Sequence, residues 1–95
     1  MIMALYAVDL QGEYFPMREQ GRWKLYGFDT ELIVEADTPE EAELMAVRMV
    51  HMDPVWGNIR PRPGFPTPRI YPEGVYECEE EPTDLPEYEL FRMRK

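Results

Sequence analysis

Apolar and polar residues alternate along much of the first third of the chain, which is the pattern of β-strands with one face on a core. Residues 3–14 and residues 23–36 both show this alternation. In the first segment, Tyr6, Val8 and Leu10 fall on the face predicted to be buried. One apolar and one polar face per strand is typical of antiparallel sheets, so the two segments are predicted to pair in that way.

The second predicted strand separates its two faces clearly, because Asp29, Glu31 and Glu35 all point away from the apolar side. Between the two strands, residues 12–21 are rich in glycine and polar residues and contain Pro16. This composition predicts a turn or a mobile hairpin loop.

A capped amphipathic helix is predicted over residues 39–52. Thr38 and Glu41 have the spacing of a capping box, in which each side chain satisfies a backbone N–H of the first turn. Pro39 occupies the first helical position, where its missing N–H costs nothing. Apolar residues at helical spacing form a stripe that we expect to face the core: Ala42, Met45, Ala46, Met49 and Val50.

The second half of the chain predicts less regular structure. Residues 53–72 hold six of the ten prolines, so an irregular, surface-bound connection is expected there. Residues 75–79 alternate as a third strand, and residues 79–86 are predicted to form a loop. Residues 88–93 are predicted to form either a short strand or a helical turn.

Together these elements predict one α+β domain over residues 1–95, in which an antiparallel sheet of three to four strands carries one helix on one face. Residues 34–43 (VEADTPEEAE) resemble the VEADSPEEAE signature of many small uncharacterised bacterial and phage-encoded proteins. The order of elements is also similar to that of HicB-like antitoxin domains. This resemblance implies a β-β-α-β fold. HicB-like proteins usually append a DNA-binding segment, and no stretch of this sequence corresponds to one.

The net negative charge of the chain disfavours negatively charged binding partners. Nineteen acids against ten bases give a net charge of −9, and fifteen of the acids lie within residues 29–43 and 73–89, which contain no Lys or Arg. Such a field repels nucleic acid and anionic membranes, which disfavours direct binding to either.

The N-terminal apolar run is interrupted by Asp9, so neither a membrane span nor a signal peptide is predicted. Cys78 has no second cysteine to pair with, which fits a reducing cytoplasm.

No residue pattern predicts catalysis, a cofactor or a metal. His51 is the only histidine and has Asp53 two residues away, but a position near a helix end favours capping over acid–base chemistry. Cys78 lies between Glu77 and Glu79, whose charges disfavour a reactive thiolate, so a buried or half-buried strand position is expected. The acids near Cys78 do not have the spacing of a calcium-binding loop. The chain is therefore predicted not to be an enzyme.

The remaining features favour an interaction module. The helix carries extra apolar residues on one flank, Leu44 and Val47, which predict a homodimer or a protein-binding surface. The acids Glu79, Glu80 and Glu81 predict a surface for a basic partner. A neutralising protein, such as an immunity factor, antitoxin or phage inhibitor that binds a basic target, is an alternative. A small-ligand-binding protein is a second alternative, suggested by the supply of aromatic residues.

The middle of the chain is different in charge from the rest. Arg48, Arg60, Arg62 and Arg69 lie in an acid-poor stretch. The molecule is therefore predicted to have two electrical faces, which could support self-association head to tail or about a twofold axis.

Overall fold

Four strands form one antiparallel sheet, and a single α-helix packs across one of its faces. The structure is a computed structural model and describes residues 3–94. The elements are β1 (Ala4–Glu19), β2 (Arg22–Ala36), α1 (Pro39–His51), a short 3-10 turn (Trp56–Asn58), β3 (Arg69–Cys78) and β4 (Glu89–Met93). The strands lie in the order β3-β1-β2-β4. The predicted α+β fold is confirmed, with four strands in the sheet.

β1 and β2 form one long hairpin that reaches from Ala4 paired with Ala36 to Glu19 paired with Arg22. Only Gln20 and Gly21 connect them, and both have positive φ, 52° and 77°. Two central residues with positive φ match the right-handed twist of a two-residue hairpin. The turn predicted within residues 12–21 is confined to Gln20 and Gly21, and the prediction was wrong for residues 12–19, which continue the strand.

A β-bulge in β1 explains why the alternation of apolar and polar residues is interrupted after Gly12. Between Gly12 and Phe15, β1 has one residue more than β2, and Tyr14 takes a φ of 62°. A bulge reverses the alternation of faces along the bulged strand. Phe15 consequently turns to the helix side of the sheet, where only 4% of its surface is exposed. The sequence breaks its pattern there without ending the strand.

Two glycines allow phenylalanine rings to lie across the strands next to them. Gly12 pairs with Phe28, and Gly27 pairs with Phe91. A Cβ atom added to either glycine would overlap the ring of its partner. Glycine is needed where a ring covers the neighbouring backbone, since any side chain would occupy the same space.

The core lies between the sheet and α1. The predicted helical stripe is confirmed, because Ala42, Ala46 and Val50 are fully buried and Met45 and Met49 pack against the same cluster. At the sheet's middle, four aromatic rings pack with centroids 4.4–5.6 Å apart: Phe15, Phe28, Trp56 and Tyr88.

The start of α1 agrees with the sequence, and its end lies one residue earlier than predicted. The Thr38 hydroxyl accepts the Glu41 N–H at 3.1 Å, so the threonine half of the predicted capping box forms. The helix ends at His51 with Met52 as its C-cap, one residue before the predicted end. None of the helices in residues 3–94 combines the length and apolar character needed to cross a membrane.

The edge strands differ from the sequence expectation in their bounds. β3 begins at Arg69, inside the stretch predicted to be irregular, and Pro72 sits beside a bulge opposite Asp9 and Leu10. Proline is tolerated on an edge strand at such a bulge because no ladder hydrogen bond is lost from the sheet interior. Residues 89–93 form β4, which decides between the two predicted alternatives in favour of a strand.

The glycine–phenylalanine stack can be tested with Gly12→Ala. The added methyl group must displace the buried Phe28 ring, and overpacking of this kind costs about 1–3 kcal/mol of unfolding free energy. Urea unfolding followed by circular dichroism measures the change. Gly74→Ala is the matched control, since its Cβ would meet only ordinary contact with Asp9 at 3.8 Å. Equal stability of the two variants would contradict the proposed role of Gly12.

Candidate functional site

The charges are separated along an elongated molecule that measures 50 × 20 × 19 Å. The hairpin turn lies at one end, which we call the basic end. Its ladder positions carry Arg18, Arg22, Lys24 and Arg92. The other end, called the acidic end, contains the first residues of β1 and the last residues of β2 and β3. Of the four arginines predicted to form a basic face, Arg60 and Arg62 lie near this end, whereas Arg48 is on α1 and Arg69 pairs with Glu13 on β1.

Carboxylates from the helix and the sheet gather at the acidic end. The pKa of Tyr6 is raised first by burial and then by the charges of Glu77, Glu40 and Asp37. These three acids come from β3, the first turn of α1 and the residue before its N-cap. Acids of the helix and of β3 therefore act on the same side chain of β1.

A broad groove lies on the sheet face opposite α1 and has a volume of about 750 Å³. Six carboxylates line it, and we call it the acidic groove: Asp9, Asp29, Glu31, Glu73, Glu87 and Glu89. The ladder pairs Asp9 with Glu31 and Asp29 with Glu89 directly. Like charges directly opposite each other on a sheet are destabilising, so the pairing is a local cost to the fold.

Burial and neighbouring charge both act on Asp9. The pKa of its carboxyl group is raised, first by desolvation and then by a hydrogen bond with Glu31 and the charges of Glu31, Glu73 and Asp29. Glu31 is also held by the Tyr76 hydroxyl, which donates to its Oε2 at 2.6 Å. This bond to a carboxylate raises the pKa of Tyr76 to about 12, with burial and the Glu31 charge adding to it.

The loop predicted to bind a basic partner borders the acidic end. We call residues 79–87 the acidic loop, in which Glu79, Glu80 and Glu81 are all exposed. Thr83 fastens this loop to β2, because its N–H donates to the Ile33 carbonyl at 2.9 Å and its hydroxyl accepts the Ile33 N–H at 2.8 Å. The predicted acids are therefore presented from an anchored segment.

The two predicted residues on the helix flank differ in their surroundings. Leu44 is 65% exposed, whereas Val47 is half-buried and packs against the core. The flank therefore offers one large apolar side chain instead of the predicted pair. Leu44 is on α1, whereas Glu79, Glu80 and Glu81 follow the end of β3.

A second cleft, of about 410 Å³, lies at the basic end. The side chains of Arg18, Arg60 and Arg62 surround it, and its apolar lining includes Trp23 and Val55; we call it the arginine cleft. The Arg62 guanidinium lies 3.7 Å from the centroid of the Trp23 ring, which is a cation–π contact. The sequence showed Arg60 and Arg62 in one segment, but it did not predict the contact of Arg62 with Trp23, because the two are 39 positions apart in the chain.

The residues singled out for candidate chemistry lie on different parts of the fold. His51 is exposed at the end of α1. The Asp53 carboxylate instead accepts the backbone N–H groups of Val55 at 2.8 Å and Trp56 at 3.2 Å, which caps the 3-10 turn. Cys78 is half-buried opposite Leu5 on β1, as expected from the sequence. Among residues 3–94, no group of three or more His, Cys, Asp or Glu is arranged to hold a metal ion.

No protein-family model, curated protein or solved structure matches this chain. The resemblance to HicB-like antitoxin domains stays a prediction. The two charged surfaces are thus the starting point for a functional proposal.

The charge on Asp9 can be tested through the pH dependence of stability. Because its pKa is higher in the folded protein than its ordinary value of 3.8, the unfolded chain releases this proton at lower pH. Stability contributed by the protonated group is therefore lost as the pH rises from about 3.8 through the folded-state pKa. Asp9→Asn removes this loss, so the variant gains stability relative to the parent over that window.

Urea unfolding of the Asp9→Asn variant at pH 3, 5 and 7 gives the measurement. Glu35→Gln serves as a control on an exposed acid of the same strand pair. A stability difference that does not change with pH would show that Asp9 titrates normally in the folded protein.

Thr83→Val tests the attachment of the acidic loop. Valine keeps the shape of threonine but cannot accept the Ile33 N–H, so we expect a loss of about 1 kcal/mol of unfolding free energy. Hydrogen exchange of the Ile33 amide should become faster. Thr67→Val is the control, at an exposed threonine in the proline-rich connection. Unchanged exchange at Ile33 would mean that the loop is held elsewhere.

Proposed function

We propose that this chain is a small, non-enzymatic interaction module that binds a basic protein in its acidic groove. The observation that carries the proposal is the direct facing of like charges across the ladder, Asp9 with Glu31 and Asp29 with Glu89. This arrangement costs stability in the free molecule. A cationic surface placed against the groove would relieve the repulsion between the carboxylates. Relief of that repulsion would add to the free energy of binding.

The distribution of the carboxylates suits a macromolecular partner. They come from all four strands, with Asp9 on β1, Glu31 on β2, Glu73 on β3 and Glu89 on β4. A face of this breadth matches several Lys or Arg side chains spread over a protein surface. The groove's volume of about 750 Å³ also leaves room for side chains that project into it.

The acidic loop has a supporting role in this proposal. Glu79, Glu80 and Glu81 are exposed and border the acidic end, where they add to the attractive field that a basic partner meets first. Exposed charges at the rim of an interface mainly raise the association rate, and their effect weakens with salt. We therefore assign steering to the loop and affinity to the groove.

A neutralising protein is the form of this function that the charge favours. A net charge of −9 repels nucleic acid but attracts proteins that bind it. In such a complex the carboxylates would occupy the partner's cationic nucleic-acid-binding surface. A cytoplasmic location and a homodimer formed through the helix flank at Leu44 belong to the same proposal and stay predictions.

Two triple variants with the same change in net charge test the assignment. The groove variant carries Asp9→Asn, Asp29→Asn and Glu31→Gln. The loop variant carries Glu79→Gln, Glu80→Gln and Glu81→Gln. Binding of a fluorescent lysine- and arginine-rich peptide, measured by anisotropy at low and high salt, should weaken about tenfold or more for the groove variant.

The loop variant should instead show a slower association rate in stopped-flow measurements, with a smaller loss of affinity. Circular dichroism confirms that both variants are folded. If the two variants lose the same affinity, the peptide responds only to net charge, and the groove is not a specific site.

A further inference from the structure

The arginine cleft holds cations that the molecule itself does not neutralise. Within residues 3–94, the ion pairs join Lys24 to Glu19 at 3.1 Å and Arg69 to Glu13. These pairs use the two acids that the register places in the hairpin arm beyond Gly12. Arg18 and Arg62 have no carboxylate within ion-pairing distance in the described part of the chain, although the protein carries nine more acids than bases.

The floor of the cleft is apolar and accessible. Trp23 is 36% exposed and Val55 is 53% exposed, which are large values for such side chains. Arg62 covers one face of the Trp23 ring, and Arg60 is fixed by donating from Nη1 to the Gly57 carbonyl at 3.0 Å. The cleft therefore suits an acidic segment that also carries an apolar side chain.

The acidic loop is a segment of that kind, and it lies along β2 away from the cleft. Leu85 is 86% exposed, the highest value among the large apolar side chains of residues 3–94. Asp84 precedes it, and Glu81 and Glu87 flank the pair. Thr83 binds Ile33, and the Glu87 carbonyl accepts the Thr30 hydroxyl at 2.6 Å, so the loop is anchored on both sides of Leu85. Such anchoring reduces the entropy lost when the loop binds.

We infer that the arginine cleft of one copy binds the acidic loop of a second copy, head to tail. Leu85 enters the apolar floor beside Trp23, and Asp84 meets the guanidinium groups of Arg18 and Arg62. The loop is anchored to β2 at Ile33 and Thr30, and Thr30 is seven residues along that strand from Trp23, roughly 23 Å at about 3.3 Å per residue, so the two surfaces do not meet within one copy. This contact uses neither the acidic groove's facing pairs nor the helix flank, and it does not depend on the proposed function.

Added salt weakens both the general repulsion between two copies and the attraction within the contact, and these two changes have opposite effects on association. The net charge of −9 on each copy repels over distance, whereas the contact between loop and cleft is local. At about 0.1 M salt, charges more than about 10 Å apart are largely screened, which favours the local contact over the general repulsion. The interface is small, so the association is weak and reversible.

Sedimentation velocity of the full chain between about 0.02 and 1 mM protein, in 0.1 M and in 1 M salt, tests the inference. The average mass should rise with concentration in 0.1 M salt and return to that of a monomer in 1 M salt. Arg62→Glu and Asp84→Arg should each weaken the association at least about tenfold. Both positions are exposed, and thermal unfolding confirms that the variants fold.

The decisive measurement mixes Arg62→Glu and Asp84→Arg in equal amounts. Each variant repels itself, but in the mixture the unchanged loop of the Arg62→Glu copy can bind the unchanged cleft of the Asp84→Arg copy. The introduced glutamate and arginine also attract each other, so the mixture should associate again. A synthetic peptide of residues 79–88 added in excess should compete with the association of the parent. A monomer at every concentration, or a mixture that stays monomeric, would overturn the inference.

Two further outcomes would also overturn it and would identify another occupant. If Leu44→Ser abolishes association while Arg62→Glu does not, the copies meet through the helix flank. If the parent stays monomeric but a fluorescent single-stranded oligonucleotide binds and Arg62→Glu abolishes that binding, the cleft is an anion site for nucleic acid.

Discussion

The pairing of β1 with β2 is the interaction on which the rest of the structure depends. This one ladder runs from Ala4 beside Ala36 to the two-residue turn, and it supplies both central strands of the sheet. The helix packs on it, β3 adds to one edge and β4 to the other. The register of the hairpin therefore decides which acids face each other in the groove and how far the basic end lies from the acidic end.

Local pattern predicted the elements whose periodicity is unbroken. The cap at Thr38, the stripe on α1 and the buried faces of both long strands follow from spacing along the chain alone. The second half of the hairpin did not, because the bulge at Tyr14 changes the face of every following residue. After the bulge, the composition of residues 13–19 is typical of a loop. Only their pairing with β2 shows that the strand continues.

The site was less predictable than the fold for a related reason. Asp29 and Glu31 were placed on the polar face from sequence, but their neighbours Asp9 and Glu89 come from other strands and are identified only by register. The contact of Arg62 with Trp23 joins the proline-rich connection to the hairpin arm, and no periodic signal links those segments. Functional surfaces built from several strands require the pairing to be known first.

The two edge strands of the sheet affect whether two copies of the chain can associate by pairing their strands. An open edge strand invites another strand to pair with it, and natural sheets block this with proline, bulges, charge or short strands. β3 carries Pro72 and a bulge at its centre, and β4 has only five residues. Continuation of the sheet from copy to copy is disfavoured at both edges. The basic end is different, because Lys24 is paired there with Glu19, whereas Arg18 and Arg62 have no carboxylate within ion-pairing distance among residues 3–94. The acidic loop is held along β2, away from those arginines, so in the proposed contact their attraction is realised between molecules, and the hairpin gives that contact a direction.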